Sequence, residues 1–118
     1  MTWRYDQSSG SLDHDGTPVG TGYSGMGVYR NDPTAEDRPN EGPIPRGTYT
    51  IGEPHDTQTH GPFVMRLTPD PSDDMHGRAG FLIHGDNQTH TASQGCIILA
   101  RPIREQVWQS GDTELEVV

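Results

Sequence analysis

The sequence predicts a compact, mainly β domain with one short helix near its C-terminus. Apolar residues come either in alternation, as in Trp3-x-Tyr5 and Leu115-x-Val117, or in runs of four or five, which is strand spacing. Fifteen glycines and ten prolines punctuate the 118 residues, too many for long helices. A single stretch has helical spacing: Ile103 and Val107 are four apart, behind Pro102. The length fits one domain, residues 1–118.

The elements follow in order. Trp3–Gln7 alternates and ends in the turn Ser8-Ser9-Gly10. Ser11–Asp13 and Thr17–Val19 flank Asp15-Gly16, a hairpin signal. Gly20–Gly27 carries four glycines and reads as irregular backbone. Asn31–Glu41 is polar, holds Pro33 and Pro39, and reads as a loop. Thr48–Ile51 and Phe63–Leu67 are strands. Thr68–Gly77 is an acidic loop. Gly80–His84 and Cys96–Leu99 are the most apolar runs and read as short buried strands. The helix starts around Pro102 and closes at Gly111, and Thr113–Val118 alternates as a last strand.

Composition limits the function classes. The net charge is −9 and all eight basic residues are arginines, so no basic stripe exists for nucleic acid or for an anionic membrane surface. No apolar run approaches the ~20 residues of a membrane span. The N-terminus, Met1-Thr2-Trp3-Arg4-Tyr5-Asp6, lacks the apolar centre of a signal peptide. With one cysteine there is no internal disulfide.

That cysteine carries the chemical signal. Cys96 follows Ser93-Gln94-Gly95 at the head of one apolar run, and His84 ends the other. A thiol becomes a nucleophile when a base takes its proton, and imidazole is the usual base. In this reading the Gly85 carbonyl fixes the His84 tautomer, and the Gly95 and Cys96 N–H groups form an oxyanion hole. The competing reading makes Cys96 a small buried hydrophobe. Ser93 either donates to the thiolate or shapes the turn, and Asp86 either orients His84 or a substrate amine or caps its own turn. Arg66, Arg78 and Arg101 are candidates to grip a substrate carboxylate, or they balance surface acid. A zinc site on His84, Asp86, His90 and Cys96 is the other chemistry, although the spacing matches no compact ligand pattern. His55, His60 and His76 fall in polar loops and read as solvated side chains. Trp3 and Trp108 read as core.

Several motifs in order carry a resemblance. Ile83-His84-Gly85 with Ser93-Gln94-Gly95-Cys96-Ile97 resembles the signature of YkuD-like L,D-transpeptidases, as does Pro45-Arg46-Gly47-Thr48-Tyr49-Thr50-Ile51. Gly22-Tyr23-Ser24-Gly25-x-Gly27, Asn31, Gly42-Pro43-Ile44-Pro45-x-Gly47, Arg78-x-Gly80-Phe81 and Ser110-Gly111-Asp112 resemble the type VI secretion L,D-transpeptidase effectors. The resemblance implies a YkuD-like β-sandwich or barrel acting on the peptide stem of peptidoglycan. Cys96 would attack the carbonyl between the third-position diamino acid and the terminal D-alanine, with His84 as base and then acid. The acyl group would pass to water, to a D-amino acid or to another stem. The resemblance also implies no cofactor, delivery without a signal peptide into a target bacterium's periplasm, a secretion carrier and a cognate immunity protein. Tyr23, Asp86, Gln94, Arg78 and Arg101 are the expected substrate contacts. Gln94 stands where the superfamily usually has histidine, and Ile98 where it often has Arg or Asn, which makes Arg101 the candidate replacement.

Overall fold

The computed structural model describes residues 2–118. Among these there are ten strands, nine of them along one hydrogen-bonded path and one paired at its side, and the fold is mainly β. Trp3–Tyr5 (β1) buries Trp3 and Tyr5 and exposes Arg4, the alternation a half-buried strand requires. Ser11–His14 (β2) and Thr17–Thr21 (β3) form the hairpin at Asp15-Gly16, where both residues have positive φ. Glu114–Val117 (β10) pairs in parallel with β1 and antiparallel with Gly47–Ile51 (β5). The end of the chain is thereby locked between the first strand and the middle of the sheet.

From β5 the path runs through Gly61–Pro69 (β7), Leu82–His84 (β8), Ile97–Ile98 (β9) and Tyr23–Ser24 (β4). Strands β8 and β9 are parallel, with Ile83 opposite Ile97 and His84 opposite Ile98. Trp3, Tyr5, Ile44, Tyr49, Met65, Phe81, Ile83, Ile97, Leu99, Val107 and Leu115 fill one core. Burying an apolar side chain of this size contributes about 1.5–3 kcal/mol. The helix α1, Arg101–Gln109, buries Val107 against that core, and Gly111 (φ 77°) ends it. Trp3 Nε1 donates to Ser110 Oγ at 3.0 Å and ties β1 to the helix end.

Three segments differ from the sequence expectation. Gly20–Gly27 is not irregular throughout: β3 runs on to Thr21, and Tyr23–Ser24 pairs with β9. The loop Asn31–Glu41 contains a 3₁₀ turn at Pro33–Ala35, started by the Asp32 carboxylate accepting the Thr34 N–H. His55–Thr57 (β6) pairs with β7. Its residues are polar and none is buried, so it carries no apolar alternation to betray it.

Candidate active site

The β8–β9 pairing builds the site. Side chains two apart on a strand share a face, so the register puts His84 on the same face as Ile98 and, one step before β9, Cys96. Ile83 and Ile97 turn to the opposite side and are buried. His84 and Cys96 both line a cleft of about 820 Å³. Its walls include the hairpin tip at His60 and Pro62, the Gly77–Phe81 segment, the loop after His84 and Arg104 on α1.

His84 is 2 % exposed. Its Nδ1 lies 2.8 Å from the Gly85 carbonyl, and a carbonyl only accepts, so Nδ1 carries the proton. The lone pair of the neutral ring is therefore on Nε2, which is buried and has no partner. Burial holds the imidazole below the ordinary histidine range. The Gly85 carbonyl opposes that shift, and neighbouring His60 and Arg104 reinforce it. Burial pushes the Cys96 thiol up from its ordinary range, while the Leu82 N–H and Arg78 pull the other way. Both directions favour a resting pair of neutral thiol and neutral imidazole.

The turn before Cys96 is set by Ser93 and Gly95. Ser93 is fully buried; its Oγ accepts the Gly25 N–H (2.9 Å) and the Gly95 N–H (3.2 Å) and donates to the Cys96 carbonyl (2.7 Å). With these bonds made, Ser93 shapes the turn, the second of the two roles the sequence offered, and its one hydroxyl proton goes to the Cys96 carbonyl. The Gly95 N–H is likewise committed, which removes it from the expected oxyanion hole and leaves the Cys96 N–H as the candidate donor.

The expected substrate contacts divide. Asp86, Gln94 and Arg78 line the cleft, whereas Tyr23 and Arg101 do not. Arg78 is buried, and its Nη1 and Nη2 donate to the carbonyls of Glu36, Pro43, Gly42 and Gln94 at 2.6–3.4 Å. It clamps the loops through these carbonyls and, among the described residues, pairs with no carboxylate. Arg101 sits exposed at the helix start, paired with Glu105 (3.1 Å) and stacked over Phe63, outside the cleft where a replacement contact was expected. Arg66, also a sequence candidate, is exposed on β7 and lies outside this cleft. The Tyr23 hydroxyl donates to Asp86 (2.6 Å) and accepts the Ala92 N–H (3.1 Å), bracing the 86–92 loop. Asp86 also accepts from the Asn87 N–H (2.8 Å) and pairs with His90 (2.7 Å). Burial works against its charge, but Tyr23 and His90 hold its carboxyl below the usual range. Asp86 thus braces the loop and does not bond to His84.

Two residues escaped the sequence reading. The ring of His60 lies 4.6 Å from that of His84, so it is not an ordinary solvated loop side chain. Arg104 is buried and lines the cleft. Its position one turn into α1 is the signal that was present: the apolar stripe Ile103–Val107 places its neighbour at the inner edge of the helix. Among the described residues, ligating atoms of three or more His, Cys, Asp or Glu converge at His14, Asp15 and Asp112 and not around His84, which argues against the four-residue zinc arrangement.

Residues 19–117 match the family model of the Tlde1 domain. The chain belongs to the Tlde1 domain family. This is a type VI secretion effector family. The matched span begins within β3 and takes in every residue lining the cleft. No curated protein matches the chain. No helix of the Tlde1 domain described here is long and apolar enough to cross a membrane.

Proposed function

We propose that the protein is a cysteine acyltransferase of the bacterial cell wall. It would cleave the bond between the third-position diamino acid and the terminal D-alanine of a peptidoglycan stem tetrapeptide. The observation that carries this reading is the unpartnered Nε2 of His84 in the cleft that also holds Cys96. A buried lone pair without a donor is costly unless a proton source meets it in use.

The steps follow from the neutral pair. His84 Nε2 takes the Cys96 proton as Sγ bonds to the peptide carbonyl carbon. The carbonyl oxygen becomes an oxyanion, with the Cys96 N–H as donor. The imidazolium then gives its proton to the leaving amine, the C–N bond breaks, and a thioester remains. Water releases the tripeptide (L,D-carboxypeptidase), a D-amino acid gives exchange, and another stem gives a crosslink (L,D-transpeptidase). No cofactor enters. The effector-family membership supports action in a target cell's periplasm, with a secretion carrier and a cognate immunity protein as partners. Mass spectrometry of disaccharide tetrapeptide incubated with the protein tests the reading. Loss or exchange of the fourth residue is expected from the parent chain and not from Cys96→Ala; an unchanged substrate with the thiol shown reduced sinks it.

The raised pKa of the half-buried thiol favours one rival, a binding module that keeps the fold without turnover. That rival predicts slow alkylation of Cys96 that is indifferent to substitution of His84.

A further inference from the structure

Among the described residues, Arg78 and Arg104 are the two buried arginines; Arg4, Arg30 and Arg66 also lack a carboxylate partner but are exposed to water. The chain has 17 acidic residues against eight arginines, so carboxylates are not scarce. Arg38, Arg46 and Arg101 each hold one within 4 Å. Arg104, 5 % exposed, holds none among the described residues. Arg78 is similarly buried without a carboxylate, but four carbonyls take its Nη protons. Arg104 has less: Nη1 donates to the Pro62 and Phe63 carbonyls at 3.2 Å, Nε is buried with no partner, and Nη2 has none among the described residues. A buried guanidinium left this incomplete is expensive, and proteins keep such a group where a ligand completes it.

The guanidinium borders the chemistry, with Nη2 its nearest atom to residue 85. Arg104 lines the cleft, and its Nη2 would stand 3.0 Å from a Cβ placed on Gly85, the residue after His84. Glycine at 85 is what lets the guanidinium come this close. Nε and Nη2 form one side of the planar fork, the side that meets a carboxylate through two parallel N–H donors.

We propose that Arg104 is the residue that binds a substrate carboxylate beside His84. This rests on the proposed stem-peptide reading and deepens it by naming the specificity contact. A stem tetrapeptide offers two such groups, the α-carboxylate of its terminal D-residue and the side-chain carboxylate of diaminopimelate; the recognising chemistry is the same for both.

The test reads binding apart from turnover. The full chain bearing Cys96→Ala is titrated calorimetrically with four disaccharide tetrapeptides: free acid or amide at the C-terminus, each with diaminopimelate or lysine at position three. Removing the recognised carboxylate is expected to weaken binding at least tenfold, and the arm that shows it identifies the source. Added Arg104→Gln should bind acid and amide, and diaminopimelate and lysine forms, within threefold of one another. Arg104→Lys keeps the charge without the fork and should retain part of the preference; it also serves where the glutamine variant fails to fold. Equal binding of all four peptides by the Arg104 protein, no binding of any, or a preference that survives both Arg104 substitutions overturns the proposal. Failure of the parent chain to process the tetrapeptide, with the preference intact, would instead strike the catalytic reading alone.

Discussion

Arg78 occupies the space into which a side chain at residue 95 would grow: a Cβ on Gly95 would stand 2.2 Å from Arg78 Nη2, and residue 95 has φ 129°. Both the space and the backbone therefore demand glycine. Gly95→Ala should destabilise the fold by about 2–4 kcal/mol, because the clamp on four carbonyls must shift. Denaturant melts measure this, and a variant as stable as the parent chain would show that the clamp yields freely.

Ser93→Ala removes one hydroxyl and three hydrogen bonds. It leaves the Gly25 and Gly95 N–H groups without their acceptor inside the protein. The expected loss is about 2–3 kcal/mol, at the upper end for a single hydroxyl. Thermal melting checks it, and a loss within error of zero would mean that the turn does not depend on Ser93.

How much of this was legible depends on the kind of contact. The strands containing Trp3, Tyr5, Leu115 and Val117 alternate visibly, and the Ser-x-Gly-Cys turn stands out because it holds the one cysteine at the head of an apolar run. Helix α1 showed itself through Pro102, Ile103, Val107 and Gly111. What stayed hidden were pairings made by exposed polar residues, such as β6, and contacts distant along the chain. Nothing local says that His60 will lie over His84, 24 positions on, or that Arg78 will spend its donors on carbonyls near residues 36–43. Arg101 was the expected substrate contact, and Arg104, one turn further along the helix, went unremarked. The helix turns Arg101 toward Phe63 and solvent and Arg104 toward the cleft.

Acid should destabilise the protein through Glu36. Burial raises its pKa, but bonds from Arg46 and Gln7 win and hold the carboxyl down to about 2. Because the folded value lies below the unfolded one, the contribution is present above pH ~4.5 and is lost as pH falls toward 2. Glu36→Gln should cost on the order of 1–2 kcal/mol at pH 7 and flatten that acid slope. Chemical melts at pH 7, 4 and 3 on both proteins provide the comparison; parallel curves would contradict it.

Alkali should act through Cys96. Its folded pKa is raised, so the unfolded chain loses the thiol proton first. Stability is then retained below the ordinary thiol range near 8.5 and falls as pH rises above it. Tyr5 and Tyr49, both raised by burial, add to the alkaline loss, so the informative quantity is a difference. Cys96→Ser should narrow its stability gap to the parent chain as pH goes from 8 to 10.5. A gap that stays constant would mean that the thiol ionises as readily folded as unfolded.

The acid limb of the pH–activity profile should lie below the ordinary histidine value near 6.5, because proton uptake by the buried His84 is disfavoured. The same depression makes folding sensitive: as pH drops through 6.5 the unfolded chain gains a proton that folded His84 resists, and stability declines. His60 contributes twice, by covering the ring and by repelling its positive charge. Both effects hold the value down, so His60→Ala should move the acid limb of kcat/KM upward toward 6.5. Activity at pH 5.5 should fall several-fold more than activity at pH 8. Profiles of the parent chain and the variant on the same tetrapeptide decide the matter, and a limb that stays fixed or moves to lower pH would show that the stacked ring does not tune the base.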